Sequence, residues 1–177
     1  MTVTVSPSQD AVYQALESFI TSVLGAGIPV IRGLPNRVAM PQTSPGFVLM
    51  QCLMINRLRW NEDTWDTTSA TPTTMTLEEG VEVRVQLDFY GQSSGDWAAT
   101  LSTLLRDSYG CAALGPNCQP LYADEARMMP LIDEEQQYEE RWSLDARIQY
   151  NPVTTIPQTF ANSTQISVIN VNETYPP

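Results

Sequence analysis

VEVRVQLDFYGQSSGDWAATLSTLLRD, from Val81 to Asp107, is the stretch that decides the fold. Its first half alternates: Val81, Val83, Val85, Leu87 and Phe89 share one side of an extended chain, with Glu82, Arg84, Gln86 and Asp88 on the other. Successive side chains of a strand point to opposite faces, so this is a strand with one buried and one polar face. Gly91, Ser93, Ser94 and Gly95 interrupt the alternation as a turn, and Asp96 is placed to cap a helix whose apolar stripe includes Trp97, Leu101, Leu104 and Leu105. A strand that feeds a helix folding back over it is a self-contained packing unit.

The same alternation returns in Tyr138 to Tyr150, YEERWSLDARIQY. Trp142, Leu144, Ala146, Ile148 and Tyr150 alternate with Arg141, Ser143, Asp145, Arg147 and Gln149. Two strands with one pattern, each carrying Arg and Asp on the polar side, are predicted neighbours in one sheet.

Working outward, Ser6 or Ser8 is placed to cap a first helix with Val12, Leu16, Phe19, Ile20, Val23 and Leu24 on one face, ended by Gly25 and Gly27. Ile28 to Ile31 reads as a short strand. Phe47 to Trp60 reads as a long strand, central near Met50 and more exposed toward Trp60. Asn61 to Thr76 shifts to Thr, Asp and Ser. Arg57 and Arg59 before it and Glu78, Glu79 and Glu82 after it can pair across an antiparallel ladder, which predicts a hairpin arm over about 57–80. The second limb of that arm is expected to run as one strand from Thr73 to Tyr90.

Beyond the second helix, Tyr109 to Pro120 reads as a Gly and Pro connection with room for one helical turn near Ala112. Leu121 to Asp133 reads as a short strand or a loop crossing the sheet, with Met128 and Met129 as adaptable packing. The part from 151 to 177 is proline-punctuated and poor in charge. It reads as an extended arm with a strand available at Ile166 to Val171; an arm on a neighbouring subunit and a disordered tail both fit its composition. The expected fold is α+β over residues 1–177 as a single domain. It has a mostly antiparallel sheet, two helices packed on one face, a long β-hairpin arm and an extended C-terminal tail.

The composition excludes several kinds of chemistry. The net charge is -11, and all nine basic residues are Arg; there is no Lys and no His. Such a chain is repelled by phosphate, which argues against sequence-specific nucleic-acid binding and against anionic membranes. Without His there is no Ser-His or Cys-His nucleophile pair and no ordinary histidine metal site. Cys52, Cys111 and Cys118 fit no metal or redox spacing and read as buried free thiols. The first residues, MTVTVSPSQD, have neither the basic nor the apolar region of a signal peptide, and no apolar run has the length of a membrane span.

Candidate sites are few. The run Asp133, Glu134, Glu135, Glu139 and Glu140 could hold a divalent ion or do acid–base work, but such a charge run more simply reads as a solvated turn before a strand. Gly91 to Gly95 lies between strand and helix, as phosphate-binding loops do, yet it lacks Lys and is flanked by Asp88 and Asp96; it reads as a turn. Trp97 and Trp142 lie on apolar faces and read as core. The interface candidates are Arg57, Arg59, Trp60, Trp65, Glu78 and Glu79, at or beside the arm. No catalytic, cofactor or metal residue is assigned.

Long segments of the chain match a known pattern: GIPVIRG from Gly27 with Asn36 following, QLDFYG with GDWA and LLRD between Gln86 and Asp107, PLYADEAR to IQYNPV from Pro120 to Val153, and a terminal TYPP. In these motifs the chain resembles the bacteriophage neck terminator protein family over about Leu16 to Pro177. The resemblance implies a structural virion component at the head–tail junction, assembled in the host bacterial cytoplasm, without enzymatic activity or cofactor. Related tail terminators form hexameric rings that cap the tail tube. The implied partners are further copies of the chain in a ring, the tail tube protein and a head-completion or connector protein, with the tail sheath as a further candidate. Genomic DNA would pass through the lumen without sequence-specific binding, and no membrane is involved. Two alternatives stand beside this reading. One is another neck or tail layer, such as a head-completion or tail-tube protein; the other is a metal-dependent hydrolase using Asp133, Glu134 or Glu139.

Overall fold

The computed structural model describes residues 2–33, 41–66, 73–132, 138–158 and 166. In chain order, β1 (Thr4–Ser6) precedes helix α1 (Gln9–Leu24) and β2 (Val30–Arg32). The long β3 (Phe47–Arg57) is followed by β4 (Glu62–Asp66) and β5 (Thr73–Glu78), then by β6 (Val81–Tyr90). Helices α2 (Ser94–Leu105) and α3 (Ser108–Leu114) come next. The chain continues through β7 (Gln119–Ala123), β8 (Arg127–Met128), β9 (Leu131–Ile132), β10 (Tyr138–Glu139), β11 (Arg141–Tyr150) and β12 (Val153–Gln158). The fold is α+β with mostly antiparallel sheets, as the alternation required.

The large sheet has the order β2-β3-β6-β11-β7, with β8 also pairing β11. The two strands that share a pattern are its centre: β6 and β11 run antiparallel from Arg141 opposite Tyr90 to Tyr150 opposite Val81. Among the described strands only the β2–β3 pair is parallel. This register puts Val83, Val85, Leu87 and Phe89 beside Leu144, Ala146 and Ile148 on one face, where all are buried. The helices cover that face with Val12, Leu16, Phe19 and Ile20 from α1, Ala98, Leu101 and Leu105 from α2, and Leu114 from α3. Burial of this continuous apolar face is what holds the layers together.

The turn after β6 is set by two glycines. Gly91 has φ +112°, and a Cβ there would fall 2.9 Å from the Cα of Gly46. Gly46, at φ +120°, lies so close to the carbonyl of Tyr90 and the ring of Trp97 that no side chain fits. Close approach here fixes how α2 folds back.

The structure corrects several expectations. There are three helices among the described residues, because the connection after α2 continues past one turn, with Asp107 as N-cap accepting from the Tyr109 amide at 2.9 Å. The N-cap of α2 is Ser93, and Asp96 lies inside the first turn, where its charge favours the helix dipole without capping. The strand expected from Thr73 to Tyr90 is two strands, broken at Glu79 and Gly80 and shared between two sheets. Met128 and Met129 are about half exposed and are not packing residues. Of the thiols only Cys118 is buried; Cys52 is half-buried and Cys111 exposed, all free.

The start of the C-terminal part is also corrected. Val153–Gln158 is a strand of its own chain, paired to β5 on one side and to β1 on the other. The strand expected at Ile166 to Val171 lies outside the described residues except for Ile166, which is exposed and not in a strand. Asp133 to Gln137 also lie outside them.

Candidate functional site

Three strands of the large sheet pass into a smaller one at the same level. β3 leads into β4 through Leu58 to Asn61, β5 leads into β6 through Glu79 and Gly80, and β11 leads into β12 through Asn151 and Pro152. The smaller sheet has the order β1-β12-β5-β4, so the predicted hairpin arm, β4 with β5, is widened by the chain's own two ends. Backbone hydrogen bonds from Leu58 to Gly80 (2.8 Å) and from Glu79 to Pro152 (3.0 Å) stitch the joint.

The arginine and glutamate residues singled out in the sequence meet at this joint. Arg57 pairs with Glu79, and Arg59 pairs with Glu78 and, at 2.9 Å, with Glu62. Asn151 Nδ2 donates to Glu78 at 3.1 Å, tying in the third crossing. Gly80 allows the Arg59 side chain to lie on its backbone, since a Cβ there would fall 2.9 Å from Nε. The hydrogen bond to Glu62 raises the Arg59 pKa, which keeps a guanidinium charged that is charged anyway. Exposed pairs of this kind are screened by solvent and add little to stability. They fix register and angle more than they add stability.

The two tryptophans are not part of this network of charges. Trp60 is 89% exposed on the link between β3 and β4, and Trp65 on β4 is 48% exposed. Leu53, Met54, Ile55 and Leu58, all about half exposed, add apolar side chains along the outer part of β3 on both of its faces, with Met54 opposite Arg84 and Ile55 opposite Val83. Exposed apolar side chains gathered in one region mark contact sites.

Pairing in the small sheet separates its two faces. One face carries Glu62, Glu78, Thr64, Thr76, Thr155 and Thr4. The other carries Trp65, Met75 and Ile156 in one row and Asp63, Leu77, Thr154 and Val5 in the next. On the apolar face every one of these residues is exposed or half-buried, and no layer of described residues covers it. A sheet with an apolar face normally buries it against another layer.

Elsewhere several polar side chains are held by partners within the fold. Asp88 is buried on the helix-free face of the large sheet, where Arg141 Nη2 donates to it at 2.7 Å and Gln86 Nε2 at 2.9 and 3.0 Å. Burial opposes the Arg141 charge most strongly of any single influence, and the hydrogen bond to Asp88 together with the attraction of the Asp88 charge outweighs it, so the guanidinium pKa is raised. Burial pushes the Tyr90 and Tyr150 phenols and the Cys118 thiol up.

Of the carboxylates considered for catalysis, Asp133 and Glu134 lie outside the described residues. Glu139 accepts from Thr43 Oγ1 at 3.4 Å, and Glu140 accepts from Trp142 Nε1 at 2.9 Å. Among the described residues no group of three or more His, Cys, Asp or Glu is arranged to hold a metal ion, and no helix is long and apolar enough to cross a membrane. An open groove of about 540 Å³ between α2 and the β8 side holds Asp96, Ser102, Arg106 and Glu125. Ser102 donates to the Asp124 carbonyl and Arg106 is held by Glu125 and the Ala123 carbonyl.

Sequence reasoning missed the widening of the arm by β1 and β12. The signal was present as alternation in VTVS and as β-branched residues in VTTIPQ, both too short to separate from loop. It also took Asp88 as a solvent-facing residue, because strand parity reports the face and not whether that face is buried.

A family model described as phage neck terminator protein matches residues 10–174 of the 177. The comparison with curated proteins finds no match.

Proposed function

The chain belongs to the phage neck terminator protein family and is a structural component of the virion neck; we infer that it caps the tail tube as a ring and joins the tail to the head connector. The single observation that carries this reading is the family match, which spans almost the whole chain and so includes the arm, α2, α3 and every strand after β1. The geometry supports it in kind. Trp60, 89% exposed beside the arm, and the half-exposed apolar face of the small sheet offer contact area that no layer of described residues covers. The Arg57–Glu79 and Arg59–Glu78 pairs set the angle at which the arm is presented to a neighbouring copy.

Capping follows from unlike ends. In a ring of identical copies, one rim matches the last layer of tube protein, while the other presents a surface to the head connector that recruits no further tube subunit. Polymerisation stops because the two rims differ. A net charge of -11 suits a channel through which DNA moves without adhering. The ring is hexameric in this reading, assembles in the host cytoplasm and uses no cofactor.

The test is electron microscopy of particles made by a phage with an early stop codon in this gene. Overlong tubes, or finished tails that do not join filled heads, are expected. Normal infectious particles would overturn the reading.

A further inference from the structure

On the helix-free face of the large sheet, one row crosses four strands: Met54 on β3, Arg84 on β6, Arg147 on β11 and Tyr122 on β7 are directly opposite partners in turn. Two arginines therefore stand side by side, at a spacing where like charges repel and destabilise the sheet. Neither is neutralised at close range. Of the eight arginines among the described residues, Arg84 is the one with no carboxylate of those residues within 4.0 Å, and Arg147 reaches Asp124 only at 4.0 Å. The Nε of Arg147 is buried without an acceptor among the described residues. Met54 and Tyr122 flank the pair, each 47% exposed.

The small sheet carries the complement. Asp63 is exposed, makes no hydrogen bond or ion pair with the described residues, and shares with Met75, Leu77 and Ile156 the apolar face that no layer of described residues covers. A carboxylate set in an apolar face matches two guanidinium groups set between Met and Tyr. Face-to-face sheets pack about 10 Å apart, within reach of Arg and Asp side chains.

Resting on the ring reading above, we propose that the apolar face of the small sheet of one copy packs on the helix-free face of the large sheet of a second copy, with Asp63 received between Arg84 and Arg147. The two surfaces differ, so the contact is head-to-tail, the kind from which rings are built, whereas a two-fold dimer would need a surface that complements itself. A phosphate backbone is the weaker occupant, because the charge of -11 repels it.

The test is sedimentation of the full chain over a range of concentrations, as wild type, as Asp63→Arg, as Arg84→Asp/Arg147→Asp, and as an equal mixture of the two variants. Each variant alone is expected to weaken self-association on the order of 30-fold, as when one partner of an interfacial charge pair is removed. The mixture is expected to recover it, since an alternating ring contains only matched contacts. Circular dichroism melts confirm that each variant is folded. Self-association untouched by either variant, a folded mixture that fails to recover, or a wild type monomeric at every concentration each overturns the contact. Retention on duplex DNA that the arginine variants lose, with association unchanged, assigns the pair to phosphate and overturns it as well. Tail length in infected cells is read independently, so a protein that terminates tails while its association ignores these charges removes this contact and leaves the terminator reading standing.

Discussion

Removing Arg141 is expected to be among the most damaging single changes outside the helix-facing core. Asp88 has a side chain only 3% exposed, Arg141 one that is 22% exposed, and they meet at 2.7 Å. At an effective dielectric of about 20 the direct attraction at that distance is about 6 kcal/mol. Taking both ions out of water costs several kcal/mol each, so the pair as a whole is worth little. Its two halves are not equivalent to nothing, however. Arg141→Leu leaves a buried carboxylate with only the Gln86 amide as donor, and such a loss costs about 3–5 kcal/mol. For a domain of this size that lowers Tm by about 10 °C. Replacing both residues, Asp88→Leu with Arg141→Leu, removes charge and counter-charge together and is expected to return stability to within about 2 kcal/mol of wild type. Urea denaturation of the four proteins of this double-mutant cycle measures the coupling. If Arg141→Leu costs less than about 1 kcal/mol, or the double variant costs the sum of the singles, the pair is solvated in a way its burial does not indicate.

Three further outcomes follow from the same structure. Arg84→Gln relieves the repulsion from Arg147 and is expected to raise stability by about 0.5 kcal/mol, visible as a small upward shift in Tm, while weakening self-association. Gly46→Ala sets a side chain against the Tyr90 carbonyl at a φ of +120°, and a loss of more than about 2 kcal/mol is expected in denaturant titration. Stability should also fall in alkali. Cys118, Tyr90 and Tyr150 are raised above their ordinary values of 9.0, 10.0 and 10.0 by burial. The folded form therefore holds protons that the unfolded form has released, so their contribution is complete below pH 9.0 and is lost as pH rises through the folded values. Melts across that range check this, and Cys118→Val should lessen the earliest part of the decline.

Much of this protein is legible in its sequence. Period-two alternation in Val81 to Tyr90 and Arg141 to Tyr150 defines two strands, their buried faces and their pairing, because burial of one face makes a one-residue slip expensive. Turn glycines and the apolar stripe of α1 are equally direct. Opposite charges around the arm identify Arg57, Arg59, Glu78 and Glu79 as partners, since a ladder rewards such pairs. What the chain could not reveal by itself depends on register between distant segments. Only the folded chain decides that β12 and β1 widen the arm and that Asp88 is buried beside Arg141. It alone brings Arg84 opposite Arg147 and sets Asp63 in an apolar face that no layer of described residues covers. Those outcomes turn on which strand sits beside which and what lies over each face. Alternation along one strand records that a face is polar; tertiary packing settles what that polar face will meet.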